Sequence, residues 1–238
     1  MPIYLPEVGP GLTFPSPNQA LQEPDGLLAM GGDLAPARIL AAYQQGIFPW
    51  FARGEPILWW SPSVRALFQP GQLTLNRTLR KQCRRLGYRF SVNKAFAEVI
   101  AGCAAPRVKQ QDTWILPAMQ QAYLELHRQG QAHSIEVWQQ DELVGGLYGL
   151  AIGQLFCGES MFNRQPNTAR LALVVLQQQL ERHQAGWIDC QLPNPYLEQL
   201  GVMPMPRSDY LQLLHQLAAE SIPAACWQPQ SLELNDGT

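Results

Sequence analysis

An aspartate and a glutamine stand two residues apart in the segment IDCQLPN, residues 188–194. The apolar residues before them predict a short β-strand, and Leu-Pro-Asn-Pro is a typical strand exit. Residues i and i+2 of a strand point the same way, so Asp189 and Gln191 are expected on one face where the strand ends, a common place for functional sites. The simpler interpretation is an aspartate that orders the following turn.

A glutamate interrupts a second apolar segment, LFCGESMF, at Glu159. A lone carboxylate in a strand is more often a solvated surface residue, whereas a buried one needs a partner and is a candidate functional group. Strict alternation predicts that Glu159 shares a face with Cys157 and Met161. The residues alone leave both roles open.

Aromatic residues crowd residues 31–62, in the runs GGDLAPARILAAYQQGIFPWF and ILWWSP. Aromatics in a loop after a helix are more often a recognition surface than a core. An exposed ring such as Trp50 can stack on an adenine, a contact worth roughly 1–3 kcal/mol. A small aromatic core is an equally good explanation, and we expect it for Phe48, Phe51 and one of Trp59 and Trp60.

Eight of the 17 basic residues fall between Arg65 and Lys94, a window without an acidic residue. Asn76 is expected to be the N-cap of a helix in this window, with Leu79 and Cys83 facing inward. Solvated helix faces usually mix charges of both signs, so a surface for a phosphate backbone is favoured over a merely solvated face. The cations assigned to this surface are Arg77, Arg80, Lys81, Arg84 and Arg85.

The bulk properties are those of an ordinary globular chain and argue against several classes of protein. The 238 residues carry a net charge of −2 and are 46% hydrophobic. Five cysteines without a CxxC pair and four histidines without HxxxH spacing predict free thiols and no metal site. No apolar run approaches the ~20 residues of a membrane helix, and no secretory signal is evident. We therefore expect a cytoplasmic protein that does not bind membranes.

Hydrophobic periods, caps and stop signals predict the elements that must position these residues. Asp33 is expected to cap one helix, with Pro36 in its first turn, and Asn93 is expected to begin another. Further helices are expected at residues 76–86, 117–130, 168–183 and 208–219. Three strands at 134–138, 143–150 and 155–162 form a meander, and a fourth strand at 187–191 returns to the sheet.

This order of elements predicts an α/β or α+β protein in two parts. We place a small N-terminal domain at residues 1–62 and an acyltransferase-like domain at 63–238. The order of the second part resembles the fold of the GCN5-related N-acetyltransferases. Their RxxGxG/A pyrophosphate loop is missing before the long helix, where the chain reads NRQPNTARLAL, so acyl-CoA is not expected as the donor.

The aromatic segment, CGESMF and IDCQLPN together resemble the leucyl/phenylalanyl-tRNA–protein transferases, from about Phe14 to Tyr210. The resemblance implies transfer of leucine or phenylalanine, with methionine a further candidate, from aminoacyl-tRNA to the N-terminal amine of proteins that begin with Lys or Arg. Such transfer marks these proteins for degradation by the N-end rule. The resemblance implies no cofactor.

The same resemblance implies roles for individual residues. Asp189 and Gln191 match the catalytic pair, and Glu159 matches a ligand for an ammonium group. Trp50 and Trp114 match positions near the terminal adenosine of the tRNA. The other substrate-binding residues that it implies are Tyr43, Tyr123, Leu147, Phe156, Leu173, Leu176, Ile188 and Asn194. The family's NASK before the long helix reads NTAR here, so this chain lacks that serine.

The implied reaction needs modest catalytic machinery. An aminoacyl ester is already activated, and an α-amine with a pKa near ~8 is partly neutral at physiological pH, so positioning does most of the work. An amide oxygen is a very weak base. Gln191 therefore orients the amine or takes its proton only transiently, and Asp189 is an equally good candidate for the base. We expect replacement of either residue to leave thermal stability nearly unchanged, and we expect no covalent intermediate.

Two alternatives stay open from the residues alone. An acyl-CoA-dependent N-acetyltransferase would share the order of elements, although the missing pyrophosphate loop opposes it. A non-catalytic tRNA-binding module would need the basic helix and Trp50, but its function would not depend on Asp189 and Gln191.

Overall fold

The computed structural model describes residues 5–106 and 113–235. Within these ranges the chain forms a three-stranded sheet, an eight-stranded mixed sheet and seven α-helices. The helices are α1 (Pro36–Tyr43), α2 (Arg77–Leu86), α3 (Phe96–Ala104), α4 (Pro117–Arg128), α5 (Thr168–Glu181), α6 (Pro195–Gln199) and α7 (Arg207–Leu217). None of these helices is long and apolar enough to cross a membrane.

The strands divide between the two sheets. They are β1 (Leu27–Met30), β2 (Phe48–Pro49), β3 (Leu58–Trp60), β4 (Val64–Phe68), β5 (Tyr88–Val92), β6 (Ala132–Gln139), β7 (Glu142–Ile152), β8 (Leu155–Asn163), β9 (Trp187–Asp189), β10 (Met203–Pro206) and β11 (Gln230–Leu232). The small sheet has the order β1-β3-β2, and the large sheet has the order β10-β4-β9-β8-β7-β6-β5-β11. The mixed α/β class is confirmed. The domain bounds 1–62 and 63–238 and the GCN5-like detail stay predictions.

Two apolar clusters cover the two faces of the large sheet. The neighbouring β7 residues Leu147 and Tyr148 belong to different clusters, because successive side chains of a strand point to opposite faces. The apolar stripe of α5 packs on the face of Leu147, whereas α3, α4 and α7 pack on the face of Tyr148. A Cβ at Gly145 would overlap the side chain of Thr168, so only glycine allows α5 to approach β7 here.

A β-bulge in β8 sets the position of Glu159. Gly158 and Ser160 pair with consecutive residues of β7, so Glu159 between them is an extra residue without a cross-strand partner. The alternation of faces therefore changes at the bulge. Cys157 belongs to the cluster on the side of α3 and α4, but Met161 packs against the cluster on the side of α5. The prediction that Met161 shares a face with Cys157 is wrong.

Two predicted helix starts are also wrong. α1 begins three residues after Asp33, whose carboxylate pairs with the Arg38 guanidinium at 3.0 Å. α3 begins three residues after Asn93, which has a φ of 55° and accepts a hydrogen bond from the backbone N–H of Ser134. The Asp33 carboxylate is used by a local turn to Ala35 N–H and by Arg38 of α1, whereas the Asn93 side chain is used by a tertiary contact to β6.

Four strands of the large sheet were not predicted, namely β4, β5, β10 and β11. β10 reads MPMP, and two prolines fit this strand only because it lies at an edge of the sheet. β4 lies in the basic window and contains Arg65, so its sequence does not alternate as a half-buried strand does. The predicted strand at 187–191 ends at Asp189, because Gln191 has a φ of 56°.

Candidate active site

A cavity opens where two neighbouring parallel strands separate. β8 and β9 pair only as far as Cys157 and Asp189, and beyond these residues a cavity of about 200 Å³ lies between them. Sites for drug-sized ligands measure about 300–1,000 Å³, so this cavity suits a single amino-acid side chain and its backbone atoms. Its apolar wall consists of Leu147, Phe156, Met161, Leu173, Leu176, Ile188 and Leu197. The structure thus brings the five apolar residues of the sequence analysis to one wall.

Glu159 lies at the polar rim of this cavity and is held by two tyrosines. The Tyr43 hydroxyl donates to Oε1 of Glu159 at 2.5 Å and lies 3.2 Å from the Tyr123 hydroxyl. Burial raises the pKa of Glu159 to about 7, and the hydrogen bonds from the tyrosines only partly offset this effect. A cation beside this carboxylate would favour its ionised form. The site can therefore hold an ammonium group.

Asp189, the last residue of β9, is fully buried and surrounded by donors. It forms a buried ion pair with Arg65, and the Tyr210 hydroxyl donates to Oδ2 at 2.9 Å. The backbone N–H of Gln191 donates to Oδ1 at 2.9 Å. The carboxylate oxygens are thus occupied by protein groups, and Asp189 is not among the residues that line the cavity.

Gln191 and Asn194 lie at the cavity on the segment after β9. The side-chain Nε2 of Gln191 is buried and has no hydrogen-bond partner among the described residues. Asn194 instead caps α6, since its Oδ1 accepts hydrogen bonds from the backbone N–H groups of Tyr196 and Leu197 at 3.0 Å. Of the two, Gln191 has the polar atom that a ligand would satisfy.

The aromatic segment contains both core and exposed rings. Phe48 and Trp59 are buried, whereas Phe51 is only partly buried. Trp50 is 44% exposed, and its carbonyl oxygen accepts a hydrogen bond from Trp60 Nε1 at 2.6 Å. Trp114 is half-buried against the cluster that contains Tyr43. Trp50 thus offers an exposed ring on a backbone that is held in place.

The basic helix forms as its sequence predicts. The Asn76 side chain accepts a hydrogen bond from the Leu79 N–H, and Gly87, with a φ of 62°, ends α2. Leu79 and Cys83 are buried. One shallow surface depression is lined by Arg77, Arg80, Lys81, Arg84 and Arg85. Arg65, which begins the basic window, does not belong to this surface because it is buried beside Asp189.

Among the residues of the site that the sequence analysis missed are Arg65, Tyr148 and Tyr210. Arg65 and Tyr210 hold Asp189, and Tyr148 lines the cavity beside Glu159. Arg65 was visible only as part of a charge run, and Tyr210 only as an inward residue of a helix. Tyr148 stands in the strand sequence GLYGL, which gave no signal beyond a core position.

Sequence comparisons match most of the chain to one family. The family model described as leucyl/phenylalanyl-tRNA protein transferase matches residues 67–215, and the model of that family's N-terminal domain matches residues 32–63. The leucyl/phenylalanyl-tRNA–protein transferase of Tolumonas auensis is 56% identical over 98% of this chain and 100% of its own length. The enzyme of the same name from Aeromonas hydrophila is 52% identical over 93% of this chain and 94% of its own length.

Comparison with solved structures adds little. L-PGS from Bacillus licheniformis covers 81% of this chain and 61% of its own length, with 10% identity and a TM-score of 0.38, which is too low to support a statement about fold or function. The sequence matches are strong, and with the mixed α/β fold they define this protein as an aminoacyltransferase. The chain belongs to the leucyl/phenylalanyl-tRNA–protein transferase family.

Proposed function

We propose that this enzyme transfers leucine or phenylalanine from tRNA to the N-terminal amine of proteins that begin with Lys or Arg. The observation that supports the donor specificity is the cavity between β8 and β9. Its wall is apolar and its volume is about 200 Å³, which suits one large apolar side chain. Glu159 at the rim suits the ammonium group that every aminoacyl donor carries on the same carbon as its side chain.

In this proposal Gln191 contacts the reacting groups, whereas Asp189 acts only by positioning Gln191. The amine attacks the ester carbonyl, a C–N bond replaces the C–O bond, and the proton of the amine passes to the leaving 3′-oxygen of the tRNA. Gln191 orients the reacting groups, since its amide lines the cavity. Asp189 positions Gln191 by accepting its backbone N–H, and its other donors leave it poorly placed to act as a base.

The remaining donor contacts lie outside the cavity. Trp50 stacks on the terminal adenosine with Trp114 and Tyr43 nearby, and the cations of α2 bind the phosphate backbone without reading its sequence. The Lys or Arg preference of the acceptor, the marking of proteins for degradation and the cytoplasmic location rest on the family.

A single-turnover experiment in which several donors and several acceptor peptides compete tests the proposal. The purified enzyme would receive a mixture of tRNAs charged with Leu, Phe, Ile and Val, acetyl-CoA, and peptides that begin with Arg, Lys or Ala. We expect mass analysis to show only Leu and Phe, attached only to the Arg and Lys peptides. Acetylated peptides would favour the N-acetyltransferase, and no product despite tight tRNA binding would favour the non-catalytic module.

A further inference from the structure

Two unsatisfied polar atoms belong to residues of the same cavity wall. Among the residues that the structure describes, six buried side-chain nitrogen or oxygen atoms have no hydrogen-bond partner. Two of them, the Tyr148 hydroxyl and Nε2 of Gln191, belong to residues that line the cavity between β8 and β9. An unpaired buried polar group is destabilising by about 1–3 kcal/mol, so such atoms at a cavity indicate groups that a ligand satisfies. Gln191 already has a role in the proposed reaction, whereas Tyr148 has none.

The ring of Tyr148 is fixed by its neighbours. It is fully buried in β7, beside the bulge that contains Glu159. Its ring meets that of Tyr123 edge-on with centroids 5.4 Å apart, and that of Phe96 edge-on at 5.9 Å. A ring packed in this way cannot turn its hydroxyl toward bulk water. Burial and the charge of Glu159 also keep the pKa of Tyr148 well above its ordinary value, so the hydroxyl stays neutral.

An α-ammonium group at this rim can use a second acceptor beside Glu159. It has three N–H donors, and Oε1 of Glu159 already accepts a hydrogen bond from Tyr43. When the side chain of the donor packs against the apolar wall, its ammonium group lies on the carbon that bears that side chain and therefore beside the polar rim. The unpaired oxygen of Tyr148 is a suitable second acceptor there.

We propose that Tyr148 is a further substrate-binding residue, whose hydroxyl oxygen accepts a hydrogen bond from the α-ammonium group of the aminoacyl donor beside Glu159. This inference rests on the proposed function, because it takes the cavity as the site of the donor side chain. It assigns recognition of the amine to two groups, a carboxylate and a neutral phenol. Tyr148 then contributes to the choice of aminoacyl over plain acyl donors.

Equilibrium binding of two unreactive ligands tests the proposal without a chemical step. One ligand is adenosine with phenylalanine attached at the 3′ position through an amide, and the other is its 3-phenylpropanoyl counterpart, which lacks the α-amine. Calorimetry would compare the wild type, Tyr148→Phe and a control, Tyr88→Phe. The control removes another buried hydroxyl without a partner, but Tyr88 does not line this cavity.

We expect Tyr148→Phe to weaken binding of the amine ligand about tenfold, the effect of losing one hydrogen bond to a charged group. Binding of the amine-free ligand should change less than about twofold, and the melting temperature should not fall, because the hydroxyl has no partner in the protein. Tyr88→Phe should resemble the wild type with both ligands.

Three results would overturn the proposal, and they differ in what else they overturn. If Tyr148→Phe binds the amine ligand as the wild type does, or loses affinity for both ligands equally, only the role of Tyr148 is wrong. If the wild type binds the two ligands equally, recognition of the amine by Glu159 is wrong as well. If the wild type binds neither ligand, the proposed donor site itself is wrong.

Discussion

The buried surroundings of Glu159 disfavour its ionised form, and a bound cation would favour that form again. Its pKa is raised to about 7 by burial, so the ligand-free group is about half ionised near neutral pH. Only the ionised form attracts an ammonium group. Binding of the amine ligand should therefore strengthen as pH rises through about 7, and weaken again above the α-amine pKa of about 8.

Glu159→Gln should remove the acidic limb of this profile and weaken binding of the amine ligand at neutral pH. Calorimetry between about pH 5.5 and pH 9 measures both limbs, which are set by the pKa values of the two groups. The amine-free ligand is the control, and its affinity should not depend on pH in this range. A wild-type profile that is flat for the amine ligand would contradict the role of Glu159.

Trp50 presents the exposed ring that stacking on a base requires. Trp50→Ala should lower donor affinity by roughly one to two decades, which corresponds to the ~1–3 kcal/mol of base–aromatic stacking. The melting temperature should change little, because the ring is 44% exposed. The contrasting variant is Trp59→Ala, whose fully buried ring should reduce the free energy of unfolding by about 3–5 kcal/mol. Unchanged donor affinity in folded Trp50→Ala would assign Trp50 a packing role only.

At the scale of elements, one buried ion pair joins β4, β9 and α7. Arg65 comes from β4, Asp189 from β9, and Tyr210 of α7 donates to the same carboxylate. The Arg65 guanidinium also lies 4.3 Å from the ring centroid of Tyr210. This arrangement changes the expectation that Asp189 can be replaced without loss of stability, because removal of one partner leaves a buried unpaired charge.

Asp189→Asn should reduce the free energy of unfolding by about 3–5 kcal/mol and also slow transfer. The double variant Arg65→Met, Asp189→Leu removes both charges and should recover most of the stability but not the transfer rate, because Gln191 N–H has lost its acceptor. Chemical denaturation and single-turnover transfer measure the two effects. Recovery of the transfer rate in the double variant would show that Asp189 does not position Gln191.

α2 is the element that can bind tRNA at a distance from the cavity. Arg80→Glu combined with Arg84→Glu should weaken binding of charged tRNA and reduce its dependence on salt, since fewer counterions are released. Turnover of a minimal aminoacyl-adenosine donor should stay unchanged, because that donor does not reach α2. Equal loss with both donors would rule out a phosphate-binding role for this face.

At the scale of the whole molecule, Gly46 connects the N-terminal segment to the catalytic part. Its carbonyl oxygen accepts a hydrogen bond from Arg65 Nη1 at 3.2 Å, its φ is 74°, and a Cβ there would lie 3.0 Å from the Tyr210 ring. Gly46→Ala should reduce both the free energy of unfolding and the transfer rate. Gly54→Ala is the matched control, since Gly54 has a φ of 88° and nothing within 4 Å of its Cβ position.

The control should lose only the roughly 1–2 kcal/mol that the left-handed backbone costs a residue with a Cβ. Gly46→Ala should lose more, because its methyl group also displaces the side chains that hold Asp189. Denaturation curves and transfer rates of the two variants make the comparison. Equal losses of stability with unchanged transfer would show that the contact between the two parts has no role in the site.

Features that depend on residues close in the chain could be predicted from the sequence. The cap of α2 at Asn76, the apolar stripe of α5 and the meander of β6, β7 and β8 follow from local spacing, and all three are present. The family could also be identified from the sequence, because its motifs are long continuous segments. Local spacing contains this information since a helix or hairpin is built from residues close in the chain.

The groups that meet in the site could not be predicted, because long-range packing brings them together. The partner of Asp189 is 124 residues away in the sequence, and no spacing rule selects Arg65 from the other cations of its window. The bulge that places Glu159 depends on the register between β8 and β7, which a single strand sequence does not encode. The unpaired state of Tyr148 depends on every group packed around it, so it exists only in the assembled fold.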